Sequence, residues 1–300
     1  MYNGIINVYK EAGYTSHDVV AKLRGILGQK KIGHTGTLDP DATGVLPVCL
    51  GNGTKLCDML TDKSKEYHAE LILGKTTDTQ DTSGRLLSEK EVDVTEKQVR
   101  EAAESFVGAY EQIPPMYSAI KVNGKKLYQL AREGKEIERA ARMVRIDYIR
   151  LERIELPLVV MTVGCSRGTY IRTLCQDIGE KLGCGGVMAH LERTRAGNFT
   201  LEKALKLSEI EQKRDDGTIE EAIIPVEAFF SELKTVRVAK AFRKLLDNGN
   251  SFYRGMTVEK KSADEGEKVR VYSEDNRFYG IFEYRTQEEK FKPVKMFPEK

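Results

Sequence analysis

The chain has 300 residues, 40% of them hydrophobic and 31% charged, with a formal net charge of +2. That length fits about two domains, and the balance suits a packed, water-soluble protein. No run approaches the roughly 18 to 20 apolar residues a membrane helix needs, and the opening MYNGIINVYKEAG lacks the apolar core of a secretory signal, so a cytoplasmic protein with no membrane partner is expected.

In chain order, Gly4–Tyr9 reads as a strand, and Thr15, Ser16 or Asp18 caps a helix over Val19–Leu27. The glycine-rich loop GHTGTLDPDATGVLPV, Gly33–Val48, comes next, and Gly44–Leu50 within it is a second apolar segment. Thr54–Leu60 reads as a helix. Lys65–Leu73 alternates polar and apolar residues like a half-buried strand, and Thr76–Gly84 is a polar loop. Thr95–Val107 carries Val99, Ala102, Ala103, Phe106 and Val107 at helical spacing and is broken at Gln112–Pro115.

Residues 116–150 form a basic helix-and-turn excursion, although Met143–Ile154 and Leu158–Cys165 read as strands around Pro157. Thr169–Leu182 is an amphipathic helix opened by a Gly-Thr cap. Leu191–Gly197 leads into Asn198–Leu205, and the charged stretch Lys213–Asp216 sets the C-terminal segment apart. From about Lys234 a basic helix, Val236–Leu246, ends at Asn248-Gly249-Asn250. Short strands around Val258, Lys268–Tyr272, Phe278–Tyr284 and Phe291–Met296 then suit a small β-barrel.

Charge is unevenly spread. Residues 116–150 hold nine Lys/Arg against four Asp/Glu, and residues 234–300 hold sixteen against eleven, leaving the remainder net acidic. Basic clusters with aromatics between them are the footprint of nucleic-acid binding, whereas each alone reads as a solvated face. The five cysteines are odd in number and form no CxxC pair, which argues against a zinc site or disulfide framework.

Four segments are over-specified for structure alone. In Gly33–Val48, Pro40 stiffens the turn that carries Asp39, between His34 and a second acid, Asp41. Taken alone, Asp-Pro is an ordinary turn. Lys65–His68 sets Tyr67 on a strand. Ile113–Leu130, IPPMYSAIKVNGKKLYQL, enters through Pro114-Pro115. Cys165–Thr173, CSRGTYIRT, is a strand-to-helix junction with Arg167, Tyr170 and Arg172.

Together GHTGTLDPDATGVLPV, KEYHAELILG, PPMYSAIKVNGKKLYQLAREG and CSRGTYIRTLCQDIG, with HLERTRAG further on, resemble the TruB-type tRNA pseudouridine synthases in order and spacing over most of residues 1–200. The resemblance implies an α+β fold: a catalytic domain over 1–232 with a mixed, largely antiparallel sheet, then a PUA-like RNA-binding β-barrel over 233–300. It implies a monomer that isomerises uridine 55 in the T-arm of tRNA, with no metal or other cofactor. Asp39 takes the place of the family's nucleophile, Arg172 of its ion-pair partner, and Tyr67 of the tyrosine that stacks on the flipped base and accepts a proton. Tyr170 matches the second aromatic and Leu191 the apolar wall. His34 matches a residue that fills space in the RNA after bases flip out. Lys10 falls where the family carries a structural lysine near the active site and is counted with the substrate-binding residues; family members have Pro after it, and here Glu11 stands instead.

The chemistry suits those residues. A carboxylate can trap or stabilise the detached species and split one hard step in two. A buried carboxylate needs a partner, and arginine stays protonated and binds it as a fork. The target base must be extruded from a folded arm, so a basic clamp is expected, with Lys121, Lys125, Lys126 and Arg132 on phosphates. A catalytically silent RNA-binding protein on the same fold is the second reading, disfavoured because Asp39, Tyr67 and Arg172 are all present. A related synthase of ribosomal RNA or of a multi-protein particle is disfavoured by the short N-terminus.

Overall fold

The structure, a computed structural model, describes residues 1–122, 124–260 and 263–298. Strand β1 (Gly4–Lys10) is buried along almost its whole length, which is why it reads as a nearly unbroken apolar run. Thr15 then closes a capping box with Asp18: its hydroxyl accepts the Asp18 N–H at 3.1 Å, and its own N–H donates to the Asp18 carboxylate at 2.8 Å. Helix α1 (Ser16–Ile26) therefore begins three residues ahead of Val19. Strands β2 (Ile32–His34) and β3 (Thr43–Leu50) pair antiparallel and flank the Asp39 loop. The expected helix at Thr54–Leu60 is a 3-10 segment, Gly51–Leu56, running into one turn, α2 (Cys57–Thr61).

Strand β4 (Lys65–Leu73) has the expected bounds, its residues alternating between buried and half-buried. The stretch Thr76–Gly84 is not all loop, since β5 (Lys75–Thr77) pairs with β6 (Leu86–Glu89). Helix α3 (Glu96–Glu104) buries Val99, Ala102 and Ala103, and β7 (Gly108–Gln112) comes after it, so Gln112 ends a strand rather than breaking a helix. The basic excursion is shorter than 116–150. It consists of a two-residue ladder, β8 (Lys121–Val122) with β9 (Lys125–Lys126), and helix α4 (Leu127–Arg132); Asn123 lies outside the described residues. Strand β10 (Arg142–Glu155) already belongs to the main sheet, pairing with β7 and with β11 (Leu158–Cys165), and it counted as basic because Arg142, Arg145 and Arg150 point to solvent.

Helix α5 (Ile171–Lys181) is capped by Tyr170 and not by Thr169, whose hydroxyl donates instead to the Ser166 carbonyl at 3.0 Å. Strand β12 (Gly186–Ala196), β13 (Phe199–Thr200), helix α6 (Leu207–Asp215) and β14 (Ile223–Ile224) complete the first sheet. Leu191 thus sits mid-strand. The strand order is β14-β1-β3-β12-β4-β11-β10-β7. These neighbours pair antiparallel except β3 and β12, which run parallel through Thr43–Glu192 and Gly44–Arg193. This is the mixed, largely antiparallel α+β sheet expected.

Alternation places successive β1 and β3 residues in different cores. Ile6, Val8, Leu46 and Val48 pack with Val19 and Leu23 of α1 and Ile210 of α6. Ile5, Val45 and Cys49 pack with Phe230, Ile281 and Phe297. Helices α3 and α5 cover β4, β10, β11 and β12 through Val99, Leu174 and Ile178, in a core that also takes Leu38 and Ala42 of the Asp39 loop and Leu191.

The last segment forms its own sheet: β15 (Lys234–Val238), helix α7 (Arg243–Asp247), β16 (Phe252–Tyr253), β17 (Lys268–Ser273), β18 (Phe278–Arg285) and β19 (Lys290–Met296), ordered β15-β17-β18-β19-β16 and curled into a half-barrel. The expected helix Val236–Leu246 survives only as α7, because parallel pairing with β17 draws residues 234–238 into a strand. Val258 lies outside the strands. The Asn52 side-chain amide donates to the Phe297 carbonyl at 2.9 Å, tying this sheet to the first.

Candidate active site

The site assembles around the loop between β2 and β3. Leu38 and Ala42 are sunk in the core, and between them the Asp39 side chain retains 39% exposure. Three elements hold the loop from behind. The Lys10 ammonium, fully buried at the end of β1, donates to the carbonyls of Ala42 (2.6 Å), Pro40 (2.8 Å) and Glu11 (3.1 Å). The Gly13 N–H donates to the Pro40 carbonyl at 3.0 Å. The Ser16 hydroxyl, at the start of α1, accepts the Leu38 N–H at 2.9 Å. Lys10 therefore braces the loop and, with every ammonium proton engaged and no exposed surface, is not a substrate contact; Glu11 in place of Pro costs nothing here, because its carbonyl is one of the acceptors. Burial pulls the Lys10 amine down to about 8. Asp41, by contrast, is exposed.

Arg172 reaches Asp39 from the first turn of α5. Its Nε lies 2.9 Å from Oδ2 and its Nη2 donates to Oδ1 at 3.2 Å, a two-pronged fork. The guanidinium is only 5% exposed. Its remaining hydrogens go to the Tyr117 carbonyl (3.0 Å) and the Thr79 carbonyl (3.0 Å), with the Asp81 carboxylate at 3.6 Å. All four over-specified segments meet near this pair, and the polar loop at 79–81 joins them. Burial raises the Asp39 carboxyl above its ordinary range and Asp81 adds to that, while Arg172 opposes it.

Two tyrosines flank the pair. Tyr67 on β4 is 8% exposed, and burial pushes its phenol upward. Tyr170, half-buried, is held by Gln112 at both backbone groups: its N–H donates to Oε1 at 2.8 Å and its carbonyl accepts from Nε2 at 3.0 Å. Leu191, 7% exposed, packs in the same core cluster as Tyr67 and Leu38, as an apolar wall would. His34 stands edge-on to His17, ring centroids 5.1 Å apart, and burial, with the neighbouring His17 adding to it, lowers its imidazole.

The basic residues of the excursion differ. Lys125 pairs with Glu133 at 3.4 Å, as does Lys135 at 2.9 Å. Lys126 and Arg132 both lie over the Tyr128 ring, each at 5.5 Å, and Lys121 is exposed on the ladder. Three features escaped the sequence reading. Asp81 and its loop looked like a generic polar turn. Gln112 looked like punctuation before Pro114-Pro115. Arg193, only 2% exposed, lay in the quoted string HLERTRAG, where its burial cannot be told from sequence apart from the half-buried Arg195 two residues on.

Residues 24–171 match the family model described as "TruB family pseudouridylate synthase (N terminal domain)", and residues 172–231 match "tRNA pseudouridylate synthase B C-terminal domain". A protein of Lachnoclostridium phytofermentans named tRNA pseudouridine synthase B is 53% identical, the match covering 98% of this chain and 99% of the relative. One of the same name from Bacillus subtilis is 41% identical over 100% of this chain and 99% of its own length. Among solved structures, a chain of a Cbf5-Nop10-Gar1 complex superposes with a TM-score of 0.69 at 28% identity, over 98% of this chain and 85% of that one. A chain from an H/ACA RNP bound to a substrate RNA containing 2'-deoxyuridine gives 0.68 at 26% identity, over 99% and 85%. The loop, the fork and the two tyrosines thus stand on a scaffold shared with full-length relatives at 53% and 41% identity, and the chain belongs to the TruB family of pseudouridylate synthases.

Proposed function

We propose that the protein isomerises uridine 55 in the T-arm of tRNA to pseudouridine, with Asp39 as the nucleophile. The observation that carries this reading is the braced Asp39 carboxylate forked onto a buried arginine beside two tyrosines. The isomerisation exchanges the C1′–N1 bond for a C1′–C5 bond; N1 gains a proton, C5 loses one, and no net electron transfer occurs. A carboxylate that holds the detached species and a group that accepts the C5 proton supply that chemistry. Asp39 fills the first role and Tyr67 the second, with Tyr67 stacked on the base. Arg172 keeps Asp39 ionised and aimed. Tyr170 and Leu191 close the pocket around the flipped uracil, and His34 occupies the space left in the RNA.

Residues 1–232 act as the catalytic unit and 233–300 as a PUA-like RNA-binding unit, with the protein working as a monomer in the cytoplasm. The excursion at 116–141 clamps the T-arm through phosphates, led by Lys121, Lys126 and Arg132, with Lys125 contributing once Glu133 releases it. The ion pair at Asp39 favours catalysis over a silent RNA-binding role, which has no use for a braced carboxylate. Purified protein incubated with unmodified tRNA transcript, then chemical labelling of pseudouridine, tests the assignment. Modification at position 55 is expected, and Asp39→Asn should abolish it while tRNA still binds. A folded protein that leaves the T-arm unmodified, or an Asn variant that still modifies it, refutes the reading.

A further inference from the structure

Arg193 is a buried cation with no part in the site's fork or its loop brace. It sits mid-β12, 2% exposed, directly across the ladder from Tyr67 on β4 and bridged to Gly44 on β3. Its Nε donates to the Val45 carbonyl at 2.7 Å. Its Nη1 lies 3.7 Å from where a Cβ on Gly36 would stand, under the Asp39 loop. Its Nη2 is buried with no hydrogen-bond acceptor, and among the described residues no carboxylate forms an ion pair with it. Leaving a charged donor unsatisfied out of water is costly, and native structures rarely tolerate it without reason. The backbone of Arg193 cannot shift to relieve this, because its carbonyl would be only 2.3 Å from a Cβ on Gly44, so the strands are in close contact there.

We propose that Arg193 is the positioning residue of Tyr67: a counter-cation held beneath the phenol that fixes its orientation and stabilises the phenolate. The inference rests on Tyr67 being the proton acceptor of the proposed reaction. Cross-strand partners on one face stand close enough for their side chains to interact. Arginine only donates, so the phenol oxygen must accept on that side and its proton is turned away from the guanidinium. When the phenol gives its proton to solvent, the oxygen that faces the guanidinium becomes a charged acceptor, a stronger partner for the buried cation. The phenolate then takes the proton from C5 of the rejoined base, the C–H electrons form the C5=C6 bond while the N1=C6 pair moves onto N1, N1 takes a proton from solvent, and the phenol is regenerated. The titratable and charged groups facing Tyr67 are Arg193 on β12, Asp39 on the loop and the Cys165 thiol on β11; Arg193 favours the phenolate and Asp39 opposes it, while burial pushes the Cys165 thiol up to about 12.

The test places 3,5-difluorotyrosine at position 67, a phenol that titrates near neutrality and is tracked by absorbance. Arg193→Met should raise its pKa by at least about one unit, a tenfold loss of acidity, and should slow single-turnover isomerisation at least tenfold with tRNA affinity unchanged. Arg193→Lys, which keeps the charge, should restore most of both. If the Met variant does not fold, Arg193→Gln keeps a donor without the charge and should give the same shift. An unmoved pKa in a folded variant, or a Lys variant no better than Gln, overturns the proposal. Tyr67→Phe with full activity would instead overturn the role given to Tyr67, leaving the titration to report on the pair alone.

Discussion

Replacing Arg172 by Met removes the cation that holds Asp39 at 2.9 and 3.2 Å. Two unit charges about 4 Å apart attract by about 4 kcal/mol at an effective dielectric near 20. The Asp39 side chain keeps 39% of its surface in water, and screening reduces the attraction to roughly 2 kcal/mol. The Thr79 and Tyr117 carbonyls lose their donors as well, at about 1 kcal/mol each. The site therefore loses roughly 3 to 4 kcal/mol, and if most of it is felt in the transition state the rate falls by about 10²- to 10³-fold. The pH dependence moves in a defined direction. Burial and Asp81 already raise the Asp39 carboxyl, and Arg172 is the group opposing them. The reacting form is the carboxylate, so activity is lost as pH falls through the folded-state pKa, and without Arg172 that acid limb shifts to higher pH. Single-turnover release of tritium from C5-labelled tRNA, recorded from about pH 5 to pH 9, measures both effects. A variant with the wild-type rate and an unshifted acid limb refutes the argument.

Lys10→Met should cost about 2 to 4 kcal/mol in thermal or denaturant unfolding, since two loop carbonyls and that of Glu11 lose a charged donor, and should lower the rate constant more than tRNA affinity. Gln112→Leu removes both backbone bonds to Tyr170; a rate loss of about tenfold with unchanged tRNA affinity is expected, and a silent phenotype would show that the α5 cap holds itself. Among the basic residues, Lys126→Ala and Arg132→Ala should each weaken tRNA binding and reduce its salt slope by roughly one unit per lost phosphate contact. Lys125→Ala should do so less, because Glu133 already neutralises it; equal slopes for all three would remove the distinction.

The alternation at Lys65–Leu73 made β4 legible because one period-2 pattern was written into consecutive residues. The Asp39–Arg172 pair was not legible that way: the partners are 133 residues apart, and only the resemblance of two strings brought them together. Arg193 and Asp81 were missed because their significance is entirely spatial, one lying under a loop from a distant strand and the other behind a shared guanidinium. The misread helix at Val236–Leu246 has the same origin. Its valines and basic residues fit a helical face locally, and pairing with a strand more than thirty residues downstream overrode that preference. The extent of the basic excursion was overestimated because charge counts do not separate a solvent-facing strand from a finger.

The parallel pairing of β3 with β12, the single parallel pair of strands in the large sheet among the described residues, has a mechanical meaning. It joins two antiparallel halves through only two residue pairs, Thr43–Glu192 and Gly44–Arg193. Asp39, Lys10 and their loop come from one half; Tyr67, Tyr170 and Arg172 come from the other. The carboxylate–guanidinium fork is therefore also a rivet across this two-pair seam, and Leu38 and Ala42 are plugs from one plate seated in the other. Shear between the plates therefore loads the fork as well as the two-pair seam.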